Sequence, residues 1–109
     1  MSEISVQWIK ELTKKGLIEF SGHALDRMIE REIEDKKVIE CILYGKVIEI
    51  QTNFEDIHVL FQEATDKNPE IYVVVAASYP YPVVVTVCKT DSEVWEEING
   101  LLKRRSKKW

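Results

Sequence analysis

Asp35-Lys36-Lys37-Val38-Ile39-Glu40-Cys41-Ile42-Leu43-Tyr44-Gly45-Lys46-Val47-Ile48-Glu49-Ile50-Gln51 changes period in its middle. Before Gly45, Val38, Ile39 and Ile42 recur at helical spacing, with Leu43 at the margin of the stripe. After it, Lys46 to Gln51 alternates as a strand does, and Gly45 suits the stop between the two. The chain therefore reads as helices first and sheet afterwards, an α+β arrangement.

Toward the N-terminus, Ser2 to Lys15 predicts an amphipathic helix on the stripe Ile4, Trp8, Ile9 and Leu12, stopped by Gly16. Leu17 to Phe20 is a short extended link, and Ser21 is the expected N-cap of a second helix running to Glu32. Toward the C-terminus, Ile57 to Glu63 alternates, with Ile57, Val59 and Phe61 against His58, Leu60 and Gln62. Ile71 to Ser78 and Val83 to Cys88 are continuous apolar runs, which marks central strands. Short turn-rich links, including Tyr79-Pro80-Tyr81-Pro82, favour a four-stranded antiparallel meander. Asp91 or Ser92 then caps an expected last helix through Val94, Trp95, Ile98, Leu101 and Leu102. Residues 103–109 follow as a frayed basic tail of a single domain spanning 1–109.

The charge balance narrows the function. The 109 residues carry a net charge of −4, yet five positive charges fall among the last seven residues. That leaves ten basic against nineteen acidic side chains in residues 1–102. Broad, sequence-independent binding of duplex DNA needs many phosphate contacts, and an acidic body argues against it. No apolar run approaches the roughly 20 residues of a membrane span. Met1-Ser2-Glu3-Ile4 lacks the basic and apolar regions of a signal peptide, so a cytoplasmic location is expected. Cys41 and Cys88 form no CxxC, no spacing suggests a metal site, and no cofactor is expected.

Chemistry concentrates in Ser21-Gly22-His23-Ala24-Leu25-Asp26-Arg27-Met28-Ile29-Glu30-Arg31. On a wheel of about 100° per residue with His23 at the origin, Arg27 falls near 40°, Arg31 near 80° and Glu30 near −20°. Ala24, Leu25, Met28 and Ile29 fill the packed arc from roughly 100° to 240°. Histidine can exchange a proton near neutral pH, and arginine offers a planar fork that matches phosphate oxygens. His23, Arg27 and Arg31 are thus candidate catalytic residues on a phosphodiester. The same spacing also describes a solvated, salt-bridged helix face.

Phe20-Ser21-x-His23-Ala24-x-x-Arg27-Met28-x-Glu30-Arg31-x-Ile33, followed by Val38 and Gly45-x-x-Ile48-Glu49, resembles the prokaryotic family known as domain of unknown function 4258. Tyr72 to Ala76, Val84 to Val87, Asp91 and Trp95 continue the resemblance, which spans roughly residues 18–98 and leaves the first helix, residues 1–16, outside. That family is similar to the RelE-like toxins of type II toxin–antitoxin modules, often encoded beside an antitoxin with a YgiT-type zinc finger. The resemblance implies a metal-independent endoribonuclease acting through the 2′-hydroxyl, with RNA or the ribosome and an antitoxin as partners. It carries over His23, Arg27 and Arg31. Two departures stand out: Cys88 where an aromatic residue is expected, and Glu32 where a glycine is usual.

Arg104, Arg105, Lys107 and Lys108 are candidate RNA-binding residues, or a solvated tail favourably placed at a helix end. His58 reads as a structural histidine on its strand. The competing functional class is a non-catalytic protein- or RNA-binding module that uses the same His/Arg helix face.

Overall fold

A computed structural model describes residues 2–65, 67–98 and 100–105. The order of elements is α1 (Ser2–Lys14), β1 (Glu19–Phe20), α2 (Gly22–Glu30), α3 (Asp35–Tyr44), β2 (Val47–Gln51), β3 (His58–Gln62), β4 (Ile71–Ala76), β5 (Val83–Lys89), β6 (Trp95–Ile98) and β7 (Leu101–Arg104). The fold is α+β. Five strands form one mixed sheet in the order β1-β5-β4-β3-β2, and β6 and β7 form a separate two-stranded hairpin.

Helices cover one face of the sheet. Ile9 of α1, Ala24 and Met28 of α2, and Val38, Cys41 and Ile42 of α3 pack with Val59, Phe61, Val73, Val75, Val84 and Val87. Alternation delivers this, because Val59 and Phe61 point to the helices while Leu60 points the other way. β4 is almost wholly buried, as expected of a central strand covered on both faces. A bulge opposite Val74 and Val75 makes Val85 an extra residue on β5, so Val84 and Val87, three apart, both face the helices. Lys10 ties α1 to α3 by donating from Nζ to the carbonyls of Ile42 and Leu43 at 2.6 and 3.2 Å. A cation there also complements the C-terminal end of the α3 dipole. Ile4, expected in the α1 stripe, is 68% exposed.

Gly45 separates α3 from β2 for a steric reason. A Cβ at this position would lie 1.9 Å from the carbonyl oxygen of Gln62 and 2.4 Å from that of Cys41. No other residue allows the helix end and β3 to approach so closely.

Three expectations are corrected. The sheet is not a purely antiparallel four-stranded meander: Glu19 and Phe20, read as a link, pair in parallel with Val83 and Val84. The expected last helix is instead an antiparallel hairpin, in which Trp95–Ile98 pairs with Leu101–Arg104. The sequence Asn99-Gly100, with Gly100 at φ +82°, supplies the turn chemistry such a hairpin needs. Finally, Lys103 and Arg104 belong to β7 and are not a frayed tail.

The hairpin covers the second face of the sheet. Trp95 and Leu102, each 2% exposed, close over Leu60 and Val74. Buried Gln62 pins it: its side chain donates to the Gly100 carbonyl at 2.7 Å and accepts from the Leu102 N–H at 2.8 Å.

Candidate functional site

α2 is fastened at both ends to β5, the strand beside it. Ser21 caps the helix, its hydroxyl accepting from the Ala24 N–H at 3.0 Å and donating to the Val85 carbonyl at 2.8 Å. The far end closes in a Schellman motif. The Ile33 N–H reaches the Met28 carbonyl at 2.9 Å and the Glu32 N–H the Ile29 carbonyl at 3.3 Å. Glu32 takes φ +54° to close it, the left-handed conformation that glycine adopts without strain. The glycine usual at this position thus has a backbone reason.

These fastenings rotate the helix from its expected orientation. Ala24 and Met28 are buried, but Leu25 and Ile29, expected in the packed arc, are 46% and 76% exposed. The packed side therefore centres on Ala24 and Met28, at roughly 100° and 140° on the wheel, and Arg31 near 80° is drawn inward. Arg31 donates to the Val87 carbonyl at 2.5 Å and is only partly exposed.

The solvent face keeps His23, Arg27 and Glu30. His23 is exposed, and its imidazole has no hydrogen bond or ion pair among the described residues. Arg27 pairs with both carboxylate oxygens of Glu30, one turn on, at 2.8 Å to Oε1 and in closer contact with Oε2. The structure thus leaves His23 exposed one turn before Arg27, which is half-buried and paired with Glu30, and turns the Arg31 head toward the edge of the sheet.

Arg31 also borders a cleft of about 1000 Å³ between the start of α3, the turn joining β3 to β4, and the hairpin. Neither His23 nor Arg27 lines it. This cleft had no single sequence signal, because its walls come from four separated segments.

Arg104 and Arg105 are engaged within the fold. Arg104 forks onto Glu49, Nε to Oε2 and Nη2 to Oε1, both at 2.9 Å. Its guanidinium lies 4.7 Å from the centre of the Trp95 ring. The Arg104 hydrogen bond holds the Glu49 carboxyl below its ordinary range against the opposing effect of burial. Arg105 donates to the Ser92 carbonyl at 2.6 Å and approaches Glu96 at 3.4 Å. Lys107 and Lys108 lie outside the described residues.

Cys88 sits directly across from Tyr72, which meets Trp95 edge-on with ring centres 5.2 Å apart. Directly opposed residues share a face, so position 88 looks toward the hairpin and away from α2. The missing aromatic residue there leaves the His23 face untouched. His58 stacks on Phe54 with ring centres 4.3 Å apart. Among the described residues, no three His, Cys, Asp or Glu side chains cluster as metal ligands, and no helix is long and apolar enough to cross a membrane.

A motif that fastens α2 to the sheet edge while presenting His23 and Arg27 to solvent defines a small α+β domain with one polar helix face. The profile of the family described as domain of unknown function (DUF4258) matches residues 20–89, and the chain belongs to that family. The match runs from β1 to the end of β5, so α1 and the hairpin stand outside it. No curated protein and no solved structure matches the chain.

Proposed function

We propose that the protein is a small, metal-independent endoribonuclease, the toxin of a type II toxin–antitoxin module, acting on RNA at the solvent face of α2. The observation that carries this reading is His23: an exposed imidazole free of internal partners, one turn before Arg27, on a helix anchored at both ends. In the reaction, the 2′-hydroxyl attacks the adjacent phosphorus while His23 accepts its proton. The bond to the 5′-oxygen breaks, that oxygen takes a proton from water, and a 2′,3′-cyclic phosphate remains. Arg27 neutralises the phosphate in the transition state by exchanging Glu30 for phosphate oxygens. The exchange is cheap, because an exposed ion pair contributes about 1 kcal/mol or less. Arg31 holds the helix in place rather than touching RNA. Arg104 and Arg105 would have to leave Glu49 and Glu96 to grip RNA, with Lys107 and Lys108 as further positive charge.

Purified protein should cleave RNA in EDTA and leave cyclic phosphate ends. His23→Ala and Arg27→Ala should each abolish cleavage with the melting temperature unchanged. RNA left intact by the wild type, with and without ribosomes, sinks the catalytic reading.

One observation favours a second reading, a binding module using the same face. Among the described residues no carboxylate hydrogen-bonds His23 to orient its ring, and Arg27 is already paired, so they form no preorganised acid–base pair. Expression in bacteria separates the two. Growth arrest relieved by His23→Ala supports the enzyme, and harmless expression supports the binder. Relief of arrest by a neighbouring antitoxin with a YgiT-type zinc finger would identify the partner.

A further inference from the structure

We propose that the cleft between α3, the β3–β4 turn and the hairpin docks a cationic, lysine- or arginine-bearing segment of a partner protein. Its floor is apolar, made by Pro69, Ile71, Trp95 and Leu102, all buried, with Ile33 beside them. Its rim is charged, and the pairing within the rim sets the sign. Two of its cations are paired with rim carboxylates, Lys37 with Glu63 at 2.5 Å and Arg105 with Glu96 at 3.4 Å. Arg31, whose partner is the uncharged Val87 carbonyl, keeps its charge, as do Lys36 and Lys89. On the acidic side, Glu32, Glu34, Glu40 and Glu70 have no hydrogen bond or ion pair through their carboxylates among the described residues, and Glu97 accepts only from the Gly100 N–H. Five carboxylates against three cations, none of them in an ion pair, give the cleft a negative field.

That field repels a nucleic-acid strand and attracts a basic segment. Lysine and arginine suit the floor as well, since their aliphatic stems lie on apolar surface while their heads reach carboxylates at the rim. The volume, about 1000 Å³, accommodates several such side chains. This site is separate from the α2 face and does not depend on the reading given to His23.

The test uses the full chain and a dye-labelled peptide of alternating lysine and leucine, with a glutamate–leucine peptide and single-stranded RNA as comparisons. The lysine peptide should bind, and Glu40→Lys/Glu70→Lys should weaken it at least about tenfold. Glu40→Gln/Glu70→Gln, which keeps the shape, should fall between. Glu3→Lys/Glu11→Lys reverses the same number of exposed charges on α1 and should leave binding within about twofold. Thermal melts confirm that each variant folds. Equal losses in the cleft and α1 variants, or equal binding of the glutamate peptide, would each overturn the proposal, as would RNA binding, measured without peptide, that the α1 substitutions leave alone and Glu40→Lys/Glu70→Lys weakens.

Discussion

Arg31 donates to the carbonyl of Val87 at 2.5 Å, so a side chain stands where a neighbouring strand would place its N–H. β1 pairs with β5 at Val83 and Val84 alone. Beyond that point Ser21 takes the Val85 carbonyl and Arg31 the Val87 carbonyl, which blunts an edge that could otherwise recruit another strand. Arg31→Ala should therefore lower stability by about 1.5–3 kcal/mol, the range for a hydrogen bond to a charged group. The measurement is the urea midpoint at constant m value. His23→Ala, at an exposed position, should leave that midpoint in place. Equal midpoints for wild type and Arg31→Ala would show that the bond carries no stability.

Glu32 pays a backbone penalty that glycine would not. A left-handed φ costs an L-residue about 1–2 kcal/mol, and glycine returns part of that gain as lost chain entropy. Glu32→Gly should stabilise the protein by about 1 kcal/mol. Glu32→Ala retains the Cβ and should gain little. A similar rise for both variants would assign the effect to the lost charge, not to the backbone.

Much of the fold is legible in the sequence because period is a local property. α3 and β2 follow from the switch at Gly45, β3 from the alternation of Ile57 to Glu63, and β4 from its continuous apolar run. The hairpin escapes that logic. Trp95, Ile98, Leu101 and Leu102 mimic a helical stripe, yet Ile98 and Leu101 are 46% and 38% exposed while Trp95 and Leu102 are buried. Asn99-Gly100 was the contrary signal, a turn dipeptide in the middle of the supposed helix. For α2, spacing placed His23 and Arg27 together, but not the rotation that turns Arg31 inward. That rotation depends on the bonds of Ser21 and Arg31 to β5, more than fifty residues away in sequence.

Burial should silence Cys41. The thiol is 1% exposed, and burial, reinforced by the charge of Glu63, pushes its pKa up to about 11. The thiolate is the reactive form, so alkylation by iodoacetamide at pH 8 should be slow in the native protein. Unfolding in urea should release it to the rate of an ordinary thiol. Peptide-level mass spectrometry distinguishes it from Cys88, which is half-buried. Rapid native labelling of Cys41 would mean that α3 opens readily from the sheet.

The pair between Glu49 and Arg104 should give the hairpin a dependence on acid. Glu49 is on β2 and Arg104 on β7, so their two hydrogen bonds join the edge of the main sheet to the hairpin. The Arg104 hydrogen bond is the main cause of the lowered Glu49 pKa; burial opposes it, and Gln51 adds a smaller lowering. A folded pKa below the unfolded one means that folding favours the charged carboxylate. The stabilisation is then fully present above the ordinary glutamate pKa of about 4.3 and is lost as pH falls through the lowered folded value. The Arg104 side chain is about half exposed, so screening limits the contribution to about 1 kcal/mol or less. Glu49→Gln cannot carry this charge at any pH. The stability difference between wild type and Glu49→Gln should be largest near neutral pH and shrink toward acid. Arg104→Ala should remove most of the effect of Glu49→Gln in a double-mutant cycle. A difference that stays constant from neutral to acid pH would show that the contribution does not come from the charge of the carboxylate.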